Sequence, residues 1–228
     1  MKVGILMRFT SIASALVVPA FLTALVLVAF PANAKETAVA RERVMVFGDS
    51  LSAAYGISTK DGWVALLETK LGPQGIEVVN ASVSGETTSG GLGRIKTDLA
   101  RLKPTIVVLA LGANDGLRGL PNADTRKNLE GIVAVARAAS ARVVIVGIQI
   151  PPNYGLEYTQ QFRAIYANLA AKYKLPLVPF LLDGIADNFE LFQADRLHPT
   201  AAAQPKILDN VMPAVLRALP KTIGAAHR

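Results

Sequence analysis

One serine, one histidine and one aspartate have the residue types and settings that acyl transfer needs. Ser50 stands in Gly48-Asp49-Ser50-Leu51-Ser52, directly after the apolar run Val44-Met45-Val46-Phe47. A hydroxyl just past a buried strand faces the cleft where open α/β sheets bind ligands, so Ser50 is a candidate nucleophile. There are two histidines, and only His198 lies outside the C-terminal tail, which leaves His227 aside and makes His198 the candidate base. Asp195 precedes it by three residues. In a turn that carboxylate can accept the imidazole Nδ1–H, fix the tautomer and stabilise the imidazolium. The reaction also needs donors for a developing oxyanion. Gly85, in the stretch from Asn80 to Thr88, can bring its N–H close to a substrate because no side chain blocks it. Asn114, in Gly112-Ala113-Asn114-Asp115-Gly116, carries an amide NH₂. With the Ser50 backbone N–H these make a three-donor oxyanion hole.

Each block also has a bland reading. Gly-Asp-Ser and Asn-Asp-Gly are ordinary turn chemistry, and Gly85 can simply end a strand. Asp195 and His198 can belong to a surface turn entering a helix, with Pro199 near its first position. Gly90-Gly91-Leu92-Gly93 lacks both the Gly-Lys-Ser/Thr ending of a P-loop and the spacing of a dinucleotide fingerprint, and reads as a loose helix start. One internal histidine and no cysteine leave no credible metal site, disulfide or thiolate chemistry, and no cofactor is expected.

The elements that must position these loops alternate in type. Apolar runs at 44–47, 76–80, 105–111, 143–148 and 177–178 read as strands, and Thr105 to Leu111 (TIVVLAL) has the continuity of a central strand covered on both faces. Between them lie helical stripes. Trp63, Leu66, Leu67 and Leu71 share one face; Leu92, Ile95, Leu99 and Leu102 form a second stripe, stopped by Pro104. Leu129 to Ala136, Tyr158 to Tyr173 and Ile207 to Leu216 mark three more. Such alternation predicts a parallel sheet with helices on both faces and right-handed crossovers. A flavodoxin-like strand order would bring all four loops to one edge.

The chain has 228 residues, 51% of them hydrophobic and 18% charged, which suits one globular domain with a full core. Lys2 and Arg8 precede an uncharged run from Phe9 to Phe30, and Ala32-Asn33-Ala34 follows it. This is the pattern of a cleavable signal peptide, residues 1–34, cut after Ala34, with a mature domain over 35–228. The run is also long enough for the alternative, an uncleaved inner-membrane anchor. Cleavage would lower the formal charge from +7 to +5. The basic residues are scattered, so a solvated surface or contact with an anionic lipid surface is expected, and no nucleic acid. Leu117, Leu120, Ile150, Pro151 and Tyr154 flank the chemical loops and are candidates for binding an apolar acyl chain.

Taken together, Ser50, Gly85, Asn114 and His198, with Asp195 three before the histidine, resemble the SGNH hydrolase (GDSL lipase/esterase) superfamily. Gly48 to Ala53, Asn80 to Thr87, Leu111 to Gly119 and Pro152 to Gly155 are similar to its bacterial thioesterase I / protease I / lysophospholipase L1 branch, over roughly Arg43 to Leu219. The resemblance implies a three-layer α/β/α sandwich with five parallel strands. It also implies a periplasmic or secreted serine esterase acting on thioesters, aryl and alkyl esters and lysophospholipids, expected as a monomer. It implies that Ser50, His198 and Asp195 are the triad, that Ser50, Gly85 and Asn114 hold the oxyanion, and that Asp115 to Pro121 is a segment covering the acyl group. Ala113, where that branch commonly has glycine, departs from the pattern and could stiffen the loop; so do Arg196-Leu197 between the aspartate and the histidine. Two alternatives stand beside the esterase: a carbohydrate acetylesterase of the same superfamily, and a non-catalytic lipid- or glycan-binding module.

Overall fold

The chain begins its described structure with the strand that carries Ser50. The computed structural model describes Met1 and residues 42–220; the candidate leader and its cleavage site lie outside the described residues. β1 (Arg43–Gly48) leads to α1 (Trp63–Leu71) and β2 (Glu77–Asn80). α2 (Thr88–Leu102), β3 (Ile106–Ala110), the short α3 (Ala113–Leu117) and α4 (Asn122–Ala138) follow. β4 (Arg142–Val146), α5 (Leu156–Tyr173), β5 (Leu177–Val178) and α6 (Gln204–Ala218) complete the order.

The sheet has the order β2-β1-β3-β4-β5, with every pairing parallel. α1 packs with α6 on one face, and α4 packs with α2 and α5 on the other. This is the five-stranded three-layer arrangement expected from the alternation. The reason is burial: Val44, Met45, Val46, Phe47 and the whole of β3 are shielded from water on both sides. Fully burying each such side chain stabilises by about 1.5–3 kcal/mol before entropy is charged against it. The strand order reverses between β1 and β3, so the loops after those two strands diverge and leave a crevice. Ser50 follows β1 and Asn114 follows β3.

Three local readings are corrected. Asn114-Asp115-Gly116 is not a loop but the body of α3. α4 starts well before its apolar stripe, at Asn122, because its first turns are mostly solvent-facing. Pro199 is not near the first position of the last helix: it forms an antiparallel bridge with Phe192, and α6 begins only at Gln204, after a short 3₁₀ turn at Ala201–Ala203. The glycine-rich Gly90 to Gly93 does lie in a helix start, where the Thr87 side chain caps α2 by accepting from the Gly90 N–H.

Candidate active site

The nucleophile turn is built into the core. Gly48 ends β1 where a Cβ would stand 2.7 Å from Ser52 Oγ and 3.0 Å from the Ala110 carbonyl, so only glycine lets the turn fold back against β3. Asp49 then organises a tight turn. Its backbone carbonyl accepts from the Ser52 and Ala53 N–H groups (3.1 and 2.9 Å), and its Oδ1 accepts from the Leu51 N–H at 3.1 Å. Trp63 Nε1 donates to the Leu51 carbonyl (3.1 Å) and Asn80 Nδ2 to the Ser52 carbonyl (2.8 Å). Ser50 is thus held by hydrogen bonds to the residues beside it and stays partly accessible.

Asp49 itself is almost fully buried, and its Oδ2 has no partner among the described residues. Burial pushes its carboxyl up to about 7, with the nearby Asp115 carboxylate adding to the effect against the Leu51 N–H that opposes it.

The second half of the site is one self-contained turn. Asp195 Oδ1 accepts from the backbone N–H groups of Leu197 (2.9 Å) and His198 (3.0 Å), and Oδ2 lies 2.6 Å from His198 Nδ1. These bonds, the His198 N–H first, hold the Asp195 carboxyl down at about 2. A carboxylate only accepts, so Nδ1 carries the proton and Nε2 of the neutral ring is left as an acceptor. His198 Nε2 lies 2.9 Å from Ser50 Oγ. The sequence-predicted serine, histidine and aspartate therefore form one continuous line of hydrogen bonds. Around them, Gln193 N–H donates to the His198 carbonyl and Thr200 N–H to the Leu191 carbonyl, both at 2.8 Å, closing the loop on itself. Arg196 takes φ +57°, left-handed backbone that disfavours a side chain, to make the turn.

Gly85 and Asn114 reach the same edge. Gly85 has φ +79°, and no atom would obstruct a Cβ there; backbone shape, not space, calls for glycine. Asn114 Nδ2 donates one hydrogen to the Glu86 carbonyl at 2.9 Å, which ties α3 to the Gly85 loop and leaves its second N–H unspent. Among the described residues the Ser50 and Gly85 N–H groups donate to no protein acceptor. Gly112 (φ +120°) lets the chain turn into α3, where a Cβ would meet the Tyr166 hydroxyl at 2.2 Å. Asp115 is buried beneath, accepting the Thr88 N–H at 2.8 Å. Ala113 takes no left-handed backbone, so glycine is not required there.

The acyl-binding candidates divide. Leu117 and Leu120 are partly exposed, and Pro151 and Tyr154 exposed. Tyr154 Oη donates to the Leu117 carbonyl (2.9 Å) and Tyr158 Oη to the Leu120 carbonyl (2.7 Å), so the loops after β3 and β4 are joined. Ile150 is buried and packs under Gly116 beside Phe162, a core position rather than an open wall. Two hollows, of about 650 and 620 Å³, lie away from the triad; neither is lined by Ser50, Asp195 or His198. Sequence reasoning missed Tyr55 and Gln193, and it named Asn80 only as the start of the Gly85 stretch, without its bond to the nucleophile turn. No spacing signal pointed to these contacts, because each joins segments distant in sequence.

The profile of the GDSL-like Lipase/Acylhydrolase family matches residues 46–204. A relative from Pseudomonas aeruginosa, Esterase TesA, is 48% identical over 176 residues, 76% of this chain and 88% of that protein. Thioesterase 1/protease 1/lysophospholipase L1 of Escherichia coli (strain K12) is 40% identical over 185 residues, 81% of this chain and 86% of that protein. A crystal structure of TesA superposes with a TM-score of 0.75 at 47% identity, covering 78% of this chain and all of that one. The chain belongs to the GDSL-like lipase/acylhydrolase family. Its fold is the SGNH hydrolase fold, and it is a serine esterase, hydrolysing carboxylic esters.

Proposed function

We propose that Ser50, His198 and Asp195 carry out a two-step acyl transfer to water, with Ser50, Gly85 and Asn114 as the oxyanion hole. The observation that supports this most is the 2.9 Å contact of His198 Nε2 with Ser50 Oγ while Asp195 occupies Nδ1. Ser50 Oγ attacks the acyl carbonyl as Nε2 takes its proton. The carbonyl oxygen becomes an oxyanion held by the Ser50 and Gly85 N–H groups and the unspent Asn114 N–H. His198 then gives its proton to the leaving oxygen or sulfur, and the ester bond breaks. In the second step water loses a proton to the same nitrogen as it attacks the acyl carbon; the acyl–Oγ bond then breaks, Nε2 returns that proton to Ser50 Oγ, and the acid leaves. Asp195 stays ionised throughout, because its carboxyl is held at about 2.

The substrates proposed are thioesters, aryl and alkyl esters and lysophospholipids. Leu117, Leu120, Pro151 and Tyr154 would line the acyl side, with Ile150 supporting it from beneath. Export to the periplasm with residues 1–34 removed, contact with lysophospholipid or an anionic membrane surface, and a monomeric state complete the reading. No helix among the described residues is long and apolar enough to cross a membrane.

The test is hydrolysis by the purified 35–228 chain of p-nitrophenyl esters, acyl-CoAs and lysophosphatidylcholine across acyl lengths. A Ser50→Ala control accompanies each. Activity on long acyl chains that vanishes in the control supports the reading; activity confined to acetylated sugars contradicts the substrate class. Intact mass of the exported protein checks the cut after Ala34.

A further inference from the structure

The proton that His198 Nε2 delivers must reach the leaving atom of the ester. That atom therefore sits within hydrogen-bond reach of Nε2, and the rest of the leaving group extends past the imidazole. Among the described residues one aromatic side chain borders that ring: the Tyr55 ring centroid lies 4.5 Å from the His198 centroid, with the planes inclined by 41°. Tyr55 belongs to the nucleophile loop, yet 52% of it is exposed. Core packing does not account for an aromatic ring left half in water against the imidazole that transfers the proton.

Its position is nevertheless fixed. The Tyr55 N–H donates to the Ser50 carbonyl (3.3 Å), and its carbonyl accepts from Gln193 Nε2 at 2.8 Å. The same Nε2 donates to the Pro199 carbonyl at 3.2 Å, so one side-chain amide ties the nucleophile loop to the histidine loop. Gly56, next in sequence, has φ +74°, and a Cβ there would stand 2.0 Å from Gln193 Oε1. Glycine at 56 is what admits the Gln193 bridge. The backbone beneath the ring is set by two loops while the ring itself is left open. Phe189, an exposed ring nine residues before His198, is by contrast engaged by the Arg196 guanidinium 5.3 Å from its centroid.

We propose that Tyr55 is a specificity-determining residue, its ring forming the platform on which an aromatic leaving group rests while His198 protonates it. This rests on the assignment of Ser50 and His198 made above. Aromatic rings of the leaving group gain stacking on the exposed part of Tyr55 that an ethyl or butyl group does not.

The experiment compares phenyl acetate with ethyl acetate, which share one acyl group, in wild type, Tyr55→Phe, Tyr55→Leu and Tyr55→Ala. The intrinsic reactivities of the two esters cancel when each variant's phenyl-to-ethyl ratio of kcat/KM is divided by the wild-type ratio. That ratio is expected to fall about threefold to tenfold in the alanine and leucine variants and to be retained by phenylalanine. The reverse direction gives a second readout. The acetyl-enzyme partitions between benzyl alcohol and n-butanol as acceptors, and the benzyl preference should fall by a similar factor. An equal loss on both esters would assign Tyr55 to holding His198 alone and overturn the proposal, as would unmoved ratios in both assays. Ser50→Ala, run in parallel, separates the two claims. Activity that persists without Ser50 defeats the assignment of the site, whereas Ser50-dependent activity with an unmoved ratio defeats only the platform.

Discussion

The two halves of the site are built in opposite ways. The turn that carries Ser50 is an extension of the core: Asp49 is buried, and Trp63 and Asn80 hold the backbone from two different elements. The turn that carries Asp195 and His198 lies at the exposed rim and is held mainly by bonds within residues 191–200. Its aspartate side chain is 39% exposed where the histidine is 19% exposed. A nucleophile needs a fixed place relative to the oxyanion donors, so its rigidity comes from packing. A base needs a fixed ring orientation, and one carboxylate with three acceptor contacts supplies that locally. The difference predicts that damage to the first half reads as lost stability, and damage to the second as lost rate or small local strain.

Removing the anchor of the buried half should have the largest effect. Trp63 is fully buried and also donates to the Leu51 carbonyl, so Trp63→Ala should cost about 3–5 kcal/mol. Thermal unfolding would show this as a fall in Tm of roughly 10 °C. A shift of only a few degrees would mean that the nucleophile turn is not supported by the core. Asn114→Ala comes next. It deletes one oxyanion donor at a partly exposed position and should lower kcat by about 10²–10³, equivalent to about 2.7–4 kcal/mol, with the fold kept. Turnover within threefold of wild type would remove Asn114 from the oxyanion hole.

Asp49 sharpens the comparison through pH. Its folded pKa of about 7 lies above the unfolded carboxyl value near 4, so the folded state holds the proton more tightly. Between those values stability from this group is lost as pH rises, and above about 7 the loss is complete. Asp49→Asn cannot ionise and keeps an acceptor for the Leu51 N–H. Its stability relative to wild type should therefore improve from pH 4 to pH 8, by roughly 3–4 kcal/mol. Urea unfolding at the two pH values measures this, and a pH-independent difference would show that Asp49 does not titrate in that window. The smallest effect belongs to the rim. Arg196→Gly relieves left-handed backbone and should stabilise by about 0.5–1 kcal/mol, partly offset by the lost contact with Phe189. A lower Tm in this variant would show that the arginine contact outweighs the strain.

The same contrast explains what could be read in the sequence. The central strands β1, β3 and β4 were legible because they are buried on both faces and run as unbroken apolar stretches, Thr105 to Leu111 above all. The chemical residues were legible because nearly all sit beside those strands or within three residues of the single internal histidine. α3 was not, since Asn-Asp-Gly reads as a turn, and the bond that holds its Asp115 inward comes from Thr88, 27 residues away. The start of α4 was hidden by polar residues that face solvent. Ile150 looked like a loop residue but closes the core beneath α3, because nothing in the sequence states which side of a loop faces inward. Tyr55 and Gln193 lie 138 residues apart, and their bond exists only once the two loops meet.

The central claim is that Ser50 is the nucleophile of an acyl-enzyme cycle driven by His198. The most direct measurement is the mass of the protein after reaction with a p-nitrophenyl alkylphosphonate, with the modified peptide sequenced. The account predicts a single phosphonyl adduct on Ser50, formed stoichiometrically with loss of esterase activity, and no adduct in Ser50→Ala. An adduct on any other residue, or full inactivation with Ser50 unmodified, would contradict it.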